Sequence, residues 1–221
     1  MIRRIIGFVA LFLLALLALW PMRLAGLAGT GLTALAVTGS VWSGRLESAQ
    51  IKGLALGDID AGLAPLPLFG GTLRLGFAGA TIRGAVLQRR GGGGISDVTG
   101  RLLPGQVAGL PIAAVDLDGV SLGFADGTCT VSAGRITLQP GGVIASQGAF
   151  SGTPRCDGPA LLLPLVSASG RGRLDLRITA HGRFRAALAL DGVAEADRPA
   201  LLAAGFQATP QGLTLNAEGT F

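Results

Sequence analysis

The chain has no tyrosine, two tryptophans, one histidine and one lysine among its 221 residues. Membrane-spanning β-barrels need aromatic girdles at both interfaces. Aromatics make up only 5% of this chain, so that class fits poorly although alternating residues run up to Phe221. No Gly-x-Ser-x-Gly elbow surrounds a serine and no His-Glu-x-x-His occurs. The single lysine, Lys52, is followed by Gly53 rather than by Ser or Thr, which excludes a Walker phosphate loop. His181 stands alone before Gly182 and reads as a turn residue. The shortage of catalytic and ligating side chains predicts a protein that is not an enzyme, with no cofactor and no metal.

Acidic residues are also few, 13 against 18 basic ones, for a net charge of +5. Such an excess raises nucleic acid or anionic lipid as a partner. Most arginines are isolated, however, and the densest group, Arg171, Arg173, Arg177, Arg183 and Arg185, alternates with apolar residues as a solvated sheet face would. No nucleic-acid-binding motif accompanies it, so no nucleic-acid partner is expected. The pairs Asp58/Asp60 and Asp116/Asp118 would each share one face of a strand. Two carboxylates without further oxygen ligands make a poor calcium site, and solvation beside turns is the competing explanation.

Long hydrophobic runs are absent except for one. Arg3 and Arg4 precede about eighteen apolar residues that end with Trp20 near the far end, a length that can cross a bilayer. The arginines favour the cytoplasmic side, and Trp20 suits the opposite interface. A cleaved signal peptide starts the same way but has a shorter apolar core, 7–15 residues as a rule. Gly26-Leu27-Ala28 would be its cleavage site. Both readings export the remainder. Cys129 and Cys156, the only cysteines, then form an even pair in an oxidising compartment, where a disulfide is the expected state. Free buried thiols are the alternative, and a metal site lacks other soft ligands nearby.

Beyond the apolar run, residues 25–38 form a small-residue connector, and a period of two takes over. Leu73, Leu75 and Phe77 alternate with polar or small residues, and Val120, Leu122 and Phe124 follow an Asp118-Gly119 turn signal. Leu174, Leu176, Ile178 and Ala180 oppose Arg173, Asp175, Arg177 and Thr179; Phe184 to Leu190 and Leu213 to Ala217 repeat the pattern. Antiparallel strands with one buried and one wet face explain it. One helix is expected, with Asp197 as N-cap, Pro199 in its first turn and Gly205 as its stop. Residues 91–94 and 140–164 read as loops. The expected fold is mainly β: an N-terminal transmembrane helix (1–24), the connector (25–38), and an extended or curved antiparallel sheet domain (39–221) with one short helix near its end.

Two segments carry a resemblance. Gly39-Ser40-Val41-Trp42-Ser43-Gly44 follows the connector, and Pro65-Leu66-Pro67-Leu68-Phe69-Gly70 lies further on. In the order of membrane segment, Gly-x-Val-Trp-x-Gly signature, Pro-Leu-x-Leu-hydrophobic-Gly segment, cysteine pair and β-rich ending, the chain resembles protein N of the type II secretion system. The resemblance implies a non-catalytic, single-pass inner-membrane protein with its β domain in the periplasm. Its partners would be other inner-membrane components of a machine that exports folded proteins, with membrane lipid contacted by the N-terminal helix. The residues carried over are Gly39, Val41, Trp42 and Gly44, together with the cysteines. Trp42, placed at the start of the first strand, would either seat that strand against the sheet or contact a ligand. A second functional class is lipid handling along an apolar sheet face lined by Leu174, Leu176, Ile178 and Phe184.

Overall fold

The computed structural model describes residues 32–51, 54–107 and 110–220; the apolar run of residues 3–22 and the first half of the connector (25–31) lie outside the described residues. No helix among the described residues is long and apolar enough to cross a membrane. The chain divides into two compact units, Met1–Val86 and Leu87–Phe221. The division falls inside a strand rather than in a linker.

Unit 1 comprises β1 (Leu32–Thr33), β2 (Ala36–Ser40), β3 (Ser43–Ile51), β4 (Leu54–Leu63), the five-residue helix α1 (Pro65–Phe69), β5 (Thr72–Gly79) and the first part of β6 (Ile82–Arg89). β1 and β2 both pair antiparallel with β3, then β3 with β4 and β4 with β5. Alternation puts Leu46, Ala49, Ile59 and Ala61 on one buried face, with Val37, Leu75 and Phe77 packed against them. Small side chains let the strands approach without leaving voids. A bulge in β3 breaks the alternation between Leu46 and Ala49, where Ser48 takes φ 49°. The Ser48 N–H, turned out of the ladder, donates instead to Asp58 Oδ1 at 3.0 Å.

Unit 2 begins within β6 and continues with β7 (Gly92–Leu102), β8 (Gly105–Val107), β9 (Leu110–Ala125) and β10 (Thr128–Pro140). A 3-10 helix (Gly142–Gln147) leads to β11 (Phe150–Gly152), β12 (Arg155–Asp157), β13 (Ala160–Ser167), β14 (Gly172–Ile178) and β15 (Arg183–Asp191). Helix α2 (Arg198–Ala203), β16 (Gln207–Thr209) and β17 (Gly212–Thr220) complete it. β13, β14, β15 and β17 pair antiparallel in succession, so the apolar residues align in rows such as Leu165–Leu174–Leu188–Leu215. Phe150, Leu165, Leu190, Leu201, Phe206 and Leu213 are each at most 4% exposed and form the closed core.

Several expectations are corrected here. Residues 92–94 are strand, not loop: a Cβ on Gly92 or Gly94 would collide with the carbonyl oxygen of Phe124 or Leu122, so only glycine lets β7 lie this close to β9. The stretch 140–164 holds the 3-10 helix, β11, β12 and the start of β13 rather than a loop. Asp118-Gly119 is not a turn. It lies inside the sixteen-residue β9, where Gly119 at φ 58° takes up a bulge and its N–H is met by Thr99 Oγ1 at 3.1 Å. Helix α2 forms where expected, but Asp197 makes no side-chain cap, and Ala180 is exposed just beyond β14.

Candidate functional site

The signature segment closes the β2–β3 hairpin. Ser40 ends β2, Ser43 begins β3, and Val41 and Trp42 form the turn between them. Trp42 therefore sits in the turn rather than starting the first strand, and it is half-buried. Gly39 has φ 86°, and a Cβ there would stand 2.5 Å from the Ser43 carbonyl oxygen. Val41 is buried, and its carbonyl accepts the Leu63 N–H at 2.9 Å, which ties the turn to the end of β4. Gly62 faces the same turn so closely that a Cβ would collide with the Trp42 carbonyl oxygen. Gly44 is buried opposite Ala61. Beside Trp42 lies a shallow groove of about 600 Å³, lined among others by Thr38, Arg45, Asp60 and Gly76.

The second resembling segment stands at this same end of the unit. α1 follows directly on β4, with Ala64 N–H donating to the Arg74 carbonyl at 2.9 Å. Proline at its start pre-sets the helical φ, and no residue of α1 is buried. Leu66 is 80% and Phe69 91% exposed. Nothing in the alternation pattern marks these residues as solvent-facing; the signal available was a helix too short and too uniformly apolar to have two faces.

Two of these aspartates, Asp58 and Asp116, pair with cations across the ladder. Asp58 accepts from Arg45 Nη2 at 3.2 Å as well as from Ser48 N–H. Those two donors, the Ser48 amide first, hold its carboxyl below the usual carboxylate range, and the hydrogen bond to Asp58 raises Arg45. Asp60 is paired in register with Arg45, and Asp118 with Arg135. Asp116 lies 3.6 Å from Arg101 and accepts from Gln139 Nε2 at 3.0 Å. Among the described residues no group of three or more potential metal ligands occurs. His181 is exposed in the β14–β15 turn. Of the arginine group, Arg177 pairs with Asp157 and Arg185 with Glu218, on a solvated face.

Cys129 and Cys156 are joined in a disulfide, with Cα atoms 5.5 Å apart. It ties the start of β10 to β12, beside two further links: Cys129 N–H to the Pro159 carbonyl at 3.2 Å, and Cys156 N–H to Ser132 Oγ at 3.1 Å. A model of the family described as type II secretion system (T2SS), protein N, matches residues 30–215. The chain belongs to this family. No curated protein and no solved structure matches it. The T2SS protein N match takes in both units, the Gly39–Gly44 turn, α1 and both cysteines. It makes the chain a component of the type II secretion machinery, and what the geometry offers such a component is surfaces for contact.

Proposed function

We propose that this T2SS protein N is a non-catalytic, single-pass inner-membrane subunit that supports export of folded proteins across the outer membrane. Residues 1–24 anchor it, residues 25–38 connect, and residues 39–221 stand in the periplasm, where they meet other inner-membrane components of the machine. The family match over residues 30–215 carries this reading. The disulfide supports the oxidising compartment, since such bonds persist outside the cytoplasm. The apolar run behind two arginines supports the anchor and its orientation. Neither nucleic acid nor a cofactor enters the reading.

A phosphatase reporter fused after Phe221 tests the topology: it is active if the C-terminus is periplasmic and silent if it is cytoplasmic. Site-specific photo-crosslinking from the exported units in intact cells tests the partners. Adducts with inner-membrane secretion components are expected, and their absence from every surface position contradicts the reading.

A second reading, lipid handling, draws on the unevenly closed apolar face of unit 2. Towards the β14–β15 turn, Leu176, Ile178 and Phe184 are only half-buried, unlike Leu174 and Leu188 further along. Lipid co-purifying with the protein in excess over an anchor-only control would favour it.

A further inference from the structure

The last strand of unit 2 is paired along the whole of one edge and only the start of the other. β17 lies against β15 in unbroken register, from Arg183 opposite Thr220 to Asp191 opposite Gly212. On its far side β16 covers Gly212, Leu213 and Thr214 and then ends. Among the described residues no strand pairs with that side of β17 over residues 215–220. The register shows which backbone groups this leaves. The Thr179 N–H donates to the Arg183 carbonyl at 2.9 Å, and the Asp191 N–H to the Arg171 carbonyl at 2.7 Å, so odd residues of β15 turn their backbone groups towards β14. Phe184, Ala186, Leu188 and Leu190 turn theirs towards Gly219, Ala217, Leu215 and Leu213. The N–H and C=O of Asn216, Glu218 and Thr220 therefore point away from β15, and all three residues are exposed.

Free edges are ordinarily blunted by lysine, proline or a bulge. Residues 215–220, Leu-Asn-Ala-Glu-Gly-Thr, carry none of these, and their one charge, Glu218, is engaged by Arg185 at 3.0 Å. The apolar face opens at the same place. In the row that β16 covers, Leu190 and Leu213 are 0% and 1% exposed. Leu215, Ala217 and Gly219 are only half-buried, as is Phe184, whose ring lies over Gly219 so closely that a Cβ there would stand 2.7 Å from it. An extended polypeptide matches both features at once: its backbone continues the ladder, and its alternate side chains cover Leu215 and Phe184. An acyl chain would cover the apolar row and meet none of the backbone groups. A second copy fits poorly. The twofold antiparallel register that uses all three open residues sets Glu218 against its own counterpart, a like-charge pair. Shifting that register one way runs Thr220 into the place β16 holds beside Thr214, and shifting it the other way leaves Asn216 unpaired.

We propose that residues 215–220 of β17 are a docking edge, which takes up an extended segment of a different chain of the secretion machinery as an added strand in line with β16. The segment is apolar at the positions facing Phe184 and Leu215, and basic beside Glu218, where it extends the cross-strand row of Arg185 and Glu218 with alternating charge. The source of the strand rests on the secretion reading above; the open edge does not.

Proline supplies the test. At position 216 or 218 it removes an N–H that the β15–β17 ladder does not use, and it sets a ring in the path of an incoming strand. The full chain, with a photo-crosslinking residue in place of Thr220, is expressed in cells that make the complete secretion machinery. An adduct with one inner-membrane component is expected. Asn216→Pro and Glu218→Pro should each cut its yield about ten-fold while unfolding near the wild-type midpoint, and Asn216→Ala and Glu218→Ala should keep it. If one proline variant fails to fold, the other decides; if both fail, the fold needs those amides and the open edge is refuted. Adducts that proline leaves unchanged, adducts with a second copy, and crosslinks within one chain each overturn the proposal. So does an adduct that persists in cells lacking the machinery. No adduct from position 220, while other surface positions still crosslink to the machine, overturns the docking edge and leaves the proposed function standing.

Discussion

Replacing Cys156 by serine removes the one covalent link between β10 and β12. The two cysteines are 27 residues apart. On the chain-entropy model a closed loop of about that size destabilises the unfolded state by about 3.5 kcal/mol. The folded geometry around the bridge survives the substitution, so the effect falls on the unfolded chain. The Cys129 amide still reaches the Pro159 carbonyl, and the amide at 156 still reaches Ser132. β12 also keeps its pairing with β13 through Arg155–Leu162 and Asp157–Ala160. The loss should therefore stay near that figure, about 3–4 kcal/mol, which corresponds to a fall in Tm of roughly 9–16 °C for a unit of this size. The assay is thermal unfolding of the full chain in detergent, followed by far-UV circular dichroism with and without dithiothreitol. Reductant should lower the wild-type midpoint to that of Cys156→Ser and leave the variant unchanged. A midpoint shift within about 1 °C, or reductant acting equally on both proteins, would refute the argument that this bridge restrains the unfolded chain.

Three further outcomes follow from unit 1. Gly62→Ala drives a Cβ into the Trp42 carbonyl oxygen, whereas Gly57→Ala meets nothing within 4 Å and strains only its own φ of 76°. Urea titration should show Gly62→Ala losing about 1–3 kcal/mol and the larger loss of the two. Trp42→Ala should cost about 2 kcal/mol, roughly half of what full burial would imply, because the ring is half-buried. An unchanged midpoint would move Trp42 from packing to contact. Asp58 has a depressed folded pKa, so its contribution is present above the ordinary carboxylate range and is lost as pH falls through the folded value. The stability gap between wild type and Asp58→Asn should therefore narrow on acidification, and a gap that widens would contradict the sign.

Much of this architecture is legible in the chain because period-two alternation has few other causes. Rows such as Leu174, Leu188 and Leu215 pair as their pattern implies. The C-terminal helix falls between β15 and β16 where Pro199 and Gly205 bracket it. Several of the failures share one physical source. Glycine marks both turns and close strand approach, and sequence alone does not separate them. Gly119 lies within a bulged strand and Gly92 to Gly94 within β7, whereas Gly91, at φ 87°, does belong to a turn. The signature glycines illustrate the same ambiguity. Gly39 is needed for its backbone angle and Gly44 is buried opposite Ala61; Gly62, which no motif singled out, leaves even less room for a Cβ than Gly39 does. The exposure of Leu66 and Phe69 was hidden for another reason. An apolar side chain in a five-residue helix has no periodicity from which a wet face can be read.

The account's central claim is a role in the second step of export, and deletion of the gene tests it most directly. Secreted proteins that fold before crossing the outer membrane should accumulate in the periplasm with their signal peptides removed, and a plasmid copy should restore export. A normal extracellular profile in the deletion strain, together with altered outer-membrane lipid composition or new detergent sensitivity, would contradict the secretion role and favour lipid handling.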